Sequence, residues 1–280
     1  MLKQKNLIKK REWDYLFVLD ACRFDYFQRT FDDYLDEGNL SKVISPATHT
    51  TIWCKKIFGG RRKNDDIVYV SGNPYINSKV PIGKLDARGY FYKLVDVWDS
   101  GWNEEKNTVF PQEVIKGVKK AMIKYPGKRI IAHFMQPHAP YLTLDNTTSG
   151  SKPEFNIDNQ TDNNFFYFLR RKMRNFAAKV IRLIGQRKTW RLREELGIME
   201  PSGPIYEVLN QHGEKELKRA YQKNLETVLE GISGLIENLS GKIIITSDHG
   251  ELLGEGNNYG HYINGTENEL FHVPWLEIKK

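Results

Sequence analysis

Cysteine is scarce: Cys22 and Cys54 are the only two in 280 residues, too few for a disulfide framework or a structural zinc site built on cysteine alone. No apolar run approaches the roughly 20 residues that span a bilayer as a helix. The first thirteen residues are polar and basic and lack the apolar stretch of a secretory leader. There is no glycine-rich phosphate loop, no dinucleotide fingerprint and no internal repeat, which excludes the nucleotide-binding and solenoid folds that depend on them. These absences lead us to expect a cytoplasmic protein with reduced thiols and no nucleic-acid partner.

What is present is a hydrophobic fraction of 40%, enough for a real core, in a length that suits one large α/β domain with an insertion. Strand-like runs alternate with helical patterns, as a largely parallel sheet with crossover helices requires. Residues 15–19, 67–70, 94–98, 129–135 and 242–246 read as strands. Residues 111–123 read as an amphipathic helix with a proline start and apolar Val114, Ile115, Val118 and Met122. A stronger helical stripe runs from Leu217 through Tyr221, Leu225, Val228, Ile232 and Leu235 to Leu239. The expected architecture is a single α/β domain over residues 1–280, a mostly parallel central sheet flanked by helices. Residues 142–212 break the rhythm. They begin polar, then turn helical and basic, with Phe165, Phe168, Leu169, Phe176, Val180 and Leu183 on one side, and we expect an inserted cap there. The chain carries 42 Lys+Arg against 35 Asp+Glu, a formal charge of +7, and much of the excess lies between Arg170 and Arg193. Such a stretch fits an anionic membrane surface; packing on the parent domain with solvated charges accounts for the same pattern.

Residues 242–251, Lys-Ile-Ile-Ile-Thr-Ser-Asp-His-Gly-Glu, carry the most chemical information. A β-branched run ends at Asp248 and His249, and adjacent Asp and His at a strand's C-terminal end can reach one divalent cation. Open α/β sheets place ligands at that edge, although Asp and Gly are also ordinary turn residues. Asp20 closes the first apolar run and brings a carboxylate to the same edge, unless it serves as a helix N-cap. Thr48, Thr50 and Thr51 cluster ahead of a short helical pattern that stops at Gly59 and Gly60. A hydroxyl there meets unpaired N–H groups and the positive end of the helix dipole, or is an ordinary cap. His138, in Gln-Pro-His-Ala-Pro-Tyr, and His261, after Gly260, sit in loops that point toward the strand ends. His133 lies inside the fourth strand as a core or supporting histidine, and His212 and His272 lack such context.

Taken in order, these motifs are Asp20, a hydroxyl heading a helix, Pro137-His138-Ala139-Pro140, Ser247-Asp248-His249-Gly250-Glu251, Gly260-His261 and Val273-Pro274-Trp275. The order resembles the alkaline-phosphatase-like superfamily, which includes sulfatases, phosphonate monoester hydrolases and lipid-head-group phosphotransferases. The resemblance covers most of the chain outside residues 142–212, and it implies that superfamily's fold. It also chooses among the threonines. A glycine ten residues past the nucleophile is Gly60 counted from Thr50, and a Thr-x-Thr whose second member is the nucleophile is Thr48-His49-Thr50. Thr48 and Thr51 stand as alternatives. By the same resemblance Asp20, Thr50, Asp248 and His249 bind one divalent metal, Mn²⁺ or Zn²⁺ ahead of Ca²⁺. His138 and His261 contact the transferring group or the leaving oxygen. Asp25 and Glu251 are near in sequence for any second metal, and Arg23 either grips an anion or pairs with Asp25.

Two departures narrow what the resemblance implies. Sulfatases carry Cys/Ser-x-Pro-x-Arg where Thr50-Thr51-Ile52-Trp53-Cys54 stands here, and the phosphotransferases add membrane helices or a leader that this sequence does not show. The expectation is a metal-dependent hydrolase or transferase of anionic, phosphate-type esters that works through a covalent Thr50 intermediate. A sulfatase on the same site is the rival enzyme, and a binding protein on a borrowed fold is the non-catalytic rival.

Overall fold

The computed structural model describes residues 1–10, 12–35, 38–60, 64–144, 152, 203–263 and 265–280. Its central sheet has eight strands: β1 (Leu2–Lys3), β2 (Tyr15–Asp20), β3 (Asn39–Ile44), β4 (Asn64–Ser71), β5 (Phe91–Asp96), β6 (Arg129–Pro137), β7 (Lys242–Ser247) and β8 (His272–Lys279). The order across the sheet is β1-β3-β8-β7-β2-β6-β4-β5. β8 runs antiparallel to both neighbours, β3 and β7, and the other pairings are parallel. The helices around it include α1 (Gln4–Lys10), α2 (Phe24–Gln28), α3 (Thr50–Phe58), α4 (Pro111–Lys124) and α5 (Pro204–Ile236).

Both faces of the sheet are buried, which is why its central strands read as unbroken apolar runs. The two-residue period of a strand sorts the side chains between two cores. Phe17 and Leu19 of β2 join Val70, Phe134 and Ile245 on the face covered by α4 and α5, whose Val114, Val118, Leu225 and Val228 meet them. Leu16 and Val18 join Tyr69, Ile131 and Ile244 on the other face, which α1 and α3 cover through Ile8, Trp53, Ile57 and Phe58. α3, which starts at Thr50, is thereby clamped against the sheet just below its C-terminal edge.

The structure departs from the sequence reading at two places, the strand over residues 94–98 and β3. The strand expected over residues 94–98 is displaced: β5 ends at Asp96, and Val97–Ser100 form a short helix that buries Val97 and Trp98. A five-residue apolar run suits either state, and here packing decides. β3 escapes the apolar-run reading because Asn39, Ser41 and Lys42 are exposed. Of residues 142–212, residues 142–144 form a turn, and residues 204–212 are the first part of α5. That helix bends at Gly213 (φ 79°, ψ 176°), a conformation open to glycine. Apart from Lys152 and Gly203, the rest of the expected cap, including the basic stretch of residues 170–193, lies outside the described residues.

Candidate active site

β2 ends at Asp20, β7 ends one residue before Asp248, and β6 ends beside His138, so three neighbouring parallel strands deliver these groups to one edge. The chain locks the gap between β2 and β7 with its own backbone. Ala21 takes φ 57°, a left-handed conformation uncommon for alanine. Its N–H donates to Asp248 Oδ1 at 3.1 Å, and its carbonyl accepts from the Tyr221 hydroxyl at 2.7 Å. Ser247 Oγ accepts from Cys22 N at 2.8 Å and donates to His249 O. Gly250 N donates to Leu270 O at 2.9 Å, and a Cβ at Gly250 would lie 1.8 Å from Glu269 O. The glycine after Asp248 and His249 is therefore demanded by a close backbone approach.

Thr50 opens α3, with His49 extended at the N-cap. Thr50 Oγ1 lies 3.4 Å from His249 Nε2. The same nitrogen is 3.4 Å from Asp248 Oδ2 and 3.6 Å from Asp20 Oδ1. Asp20, Thr50, Asp248 and His249 are thus gathered around one point. Thr48 and Thr51 turn elsewhere: Thr48 Oγ1 donates to Tyr262 O at 2.8 Å, and Thr51 Oγ1 is 3.2 Å from His49 Nδ1. His249 Nδ1 sits 2.9 Å from Gly250 O, which assigns the ring proton to Nδ1 and leaves the Nε2 lone pair facing the hydroxyl and the carboxylates.

Asp20 Oδ1, Asp248 Oδ2, Glu251 Oε2 and His133 Nε2 are buried with no hydrogen-bond partner among the described residues. A buried polar atom left unpaired costs about 1–3 kcal/mol, and more when charged. Three of these orphans, on Asp20, Asp248 and His133, converge. Ligand atoms of Asp20, His133 and Asp248 all lie within 4.8 Å of one another, as do those of His138, Glu251 and His261. Carboxylate oxygens, a hydroxyl and neutral imidazoles form a donor set that fits a divalent cation.

Glu251 joins the two histidines of the second group. Its Oε1 accepts from His261 Nδ1 at 2.9 Å, and its Oε2 is 3.7 Å from His138 Nε2. The His261 ring centre lies 4.2 Å from that of His249 and 5.2 Å from that of His138. Burial pushes the Asp20 carboxyl well up, with Asp248 and Glu251 adding to the effect, while a 2.6 Å bond from Asn73 Nδ2 opposes it. Burial acts on Asp248 in the same sense, but His249, His133 and Thr50 outweigh it and hold that carboxyl low. Burial drives His249 and His133 down to about 4, so both are neutral near pH 7. His138 is lowered, again chiefly by burial. His261 moves the other way: burial would lower it, but the Glu251 carboxylate raises it. Glu251 is itself held low by His261 in spite of its burial.

Arg23 is not free to grip an anion. It is buried, bonded twice to Asp25 at 2.9 and 2.8 Å and once to Glu255 at 2.6 Å. Asp25 is occupied with it, and of the two acids near in sequence Glu251 is the one in the cluster. His133 is both a core and a supporting residue, with Nδ1 2.7 Å from the Tyr69 hydroxyl and Nε2 3.9 Å from Asp248 Oδ2. Sequence reasoning misses Asn73 and His49. Asn73 sits in Gly72-Asn73-Pro74, which carries only a turn signal, and His49 hides among the threonines although its ring lies 5.7 Å from that of His261.

A model of the family described as Sulfatase matches residues 25–278. No curated protein matches the sequence. The fold is similar to that of the integral membrane protein lipooligosaccharide phosphoethanolamine transferase A of Neisseria meningitidis, with a TM-score of 0.55 at 14% identity over 94% of this chain and 46% of that one. This chain spans less than half the length of that protein. The C-terminal periplasmic domain of EptC from Escherichia coli, in complex with Zn, gives 0.52 at 13% identity over 95% of this chain and 72% of that one. The phosphonate monoester hydrolase of Agrobacterium radiobacter gives 0.50 at 13% identity over 95% and 67%. At these identities the likeness is one of fold.

Proposed function

Because this chain belongs to the sulfatase family, we propose that it is a hydrolase or transferase of anionic phosphate or sulfate esters, acting through a covalent Thr50 intermediate with a divalent cation. The observation that supports this most is the meeting of Thr50 Oγ1, His249 Nε2 and the unpaired Asp20 and Asp248 oxygens at the start of a helix. Asp20, Thr50, Asp248 and His249 would hold the cation, which when bound lowers the pKa of the hydroxyl and offsets charge on a non-bridging oxygen. Backbone N–H groups in the first turn of α3 face the incoming ester and stabilise the charge it gathers. Thr50 Oγ1 releases its proton to water and bonds to the ester phosphorus as the bond from phosphorus to the alcohol oxygen breaks. His261, whose pKa the Glu251 carboxylate raises, is the group that gives that oxygen its proton, and His138, lowered by burial, hydrogen-bonds the ester. Water or an acceptor alcohol then releases the group from Thr50. We favour phosphate over sulfate because Thr50 opens Thr-Thr-Ile-Trp-Cys in place of the sulfatase Cys/Ser-x-Pro-x-Arg.

The test uses matched nitrophenyl esters, a phosphate monoester, a phosphate diester and a sulfate, with Mn²⁺ or Zn²⁺ and with chelator. Expected is chelator-sensitive turnover of a phosphate ester that drops about a thousandfold or more in Thr50→Ala and about 10²–10⁴-fold in His261→Gln. Turnover of the sulfate alone would overturn the choice of phosphate. Silence on all three from a folded, cation-loaded protein would remove the enzymatic reading.

A further inference from the structure

Gln4 lies outside the matched family region and outside every motif, yet it is completely buried. A buried carboxamide is costly unless its groups are paired. Gln4 pairs them with the two elements that carry Thr50 and the Asp248–His249 pair. Its Oε1 accepts from Trp53 Nε1 at 2.9 Å. Its Nε2 donates to Thr246 Oγ1 at 2.8 Å and to Ser247 O at 2.6 Å. Trp53 is on α3, one turn past Thr50, and Ser247 is the residue before Asp248. One side chain therefore bolts the helix that begins at Thr50 to the strand end that leads to Asp248 and His249. Gln4 is itself seated on both sides: β1 pairs with β3 at Leu2↔Val43 and Lys3↔Ile44, and α1 buries Ile8 among Trp13, Trp53 and Ile57.

A leucine would fill this space in an otherwise apolar core. What the carboxamide adds is direction, because hydrogen bonds tolerate only a few tenths of an ångström. Misplacing reacting groups by about 1 Å costs about 10²-fold in rate. We infer that Gln4 is a positioning residue that sets the separation between the Thr50 hydroxyl and the Asp248–His249 pair. The inference rests on the reading of Thr50 as nucleophile.

A double-mutant cycle separates positioning from packing. Gln4→Leu deletes all three bonds at similar volume, and Trp53→Phe deletes only the bond to α3. With the ester that the wild type turns over, each variant is expected to lose about 10–100-fold in kcat with KM within about twofold. The double variant should be no worse than Gln4→Leu. An unchanged kcat in Gln4→Leu, with only a lower unfolding temperature, would make Gln4 a packing residue and overturn the inference, as would additive losses in the double variant. If Gln4→Leu does not fold, Thr246→Val and Trp53→Phe supply the same comparison through the bonds at either end. Zn²⁺ affinity by calorimetry is the second readout. If the wild type turns over no ester but binds Zn²⁺, a weakening of about tenfold in Gln4→Leu upholds positioning and an unchanged affinity rejects it. A wild type with neither turnover nor Zn²⁺ binding would overturn the functional reading and this inference together.

Discussion

A carboxylate buried beside two others, as Asp20 is beside Asp248 and Glu251, pays for its place through function or through a counter-charge. Removing that repulsion should help the metal-free protein and harm the loaded one. Asp20→Asn is expected to melt at or above the wild-type temperature in chelator. It should gain nothing from added Zn²⁺ or Mn²⁺, where wild type gains about 2.7 kcal/mol at a hundred times Kd. Thermal unfolding with and without cation reads both effects, and a wild type indifferent to either ion would contradict the donor set described above. At this scale the legible residues are those fixed by a boundary: Asp20 and Asp248 at strand ends, Thr50 at a helix start. Asn73 and Gln4 are illegible because their partners lie 53 and 242 positions away. Glu251 reaches His261 only because the hairpin of Leu252–Leu253 with Tyr259–Gly260 folds the chain back.

Among the elements, the helices with strong apolar periodicity and the fully buried strands are readable from pattern alone. The α/β class with a mostly parallel sheet follows from them, and the family match and structural likeness agree with it. Strand order is another matter, because an apolar run says that a strand is central without naming its neighbours. Half-polar β3 and the short helix Val97–Ser100 are set by tertiary contacts that no local window contains. One contact between elements invites a direct test. The turn at Gly250 presses on the helical turn Asn268–Phe271, and backbone atoms cannot swing aside as a side chain would. Gly250→Ala should cost about 3 kcal/mol and loosen Zn²⁺ binding by shifting Asp248 and His249. Equal melting of variant and wild type would show that the two turns separate freely.

For the whole molecule, the charge of +7 and its concentration between Arg170 and Arg193 raise the question of a surface partner. No helix among the described residues is long and apolar enough to cross a membrane. We propose that residues 170–193 attach the protein to anionic lipid. Sedimentation with phosphatidylserine vesicles should be strong near 0.05 M salt and fade toward roughly 0.5 M as screening shortens the reach of each charge. Failure to sediment at low salt would end that idea.

The last strand along the chain, β8, lies inside the sheet and is the hydrogen-bonded link between β3 and β7. While a ribosome is still releasing the protein, β3 has no partner through which to join the larger part of the sheet. Thr50 heads the next element after β3, so until residues 272–279 emerge its placement beside Asp248 and His249 rests on the packing of α3 and on the Gln4 bonds alone. A nascent or clipped chain without them lacks the link between β3 and β7, and it bares the edge of β7 to other chains. Such a chain is prone to aggregate until residues 272–279 pair with β7 and close that edge.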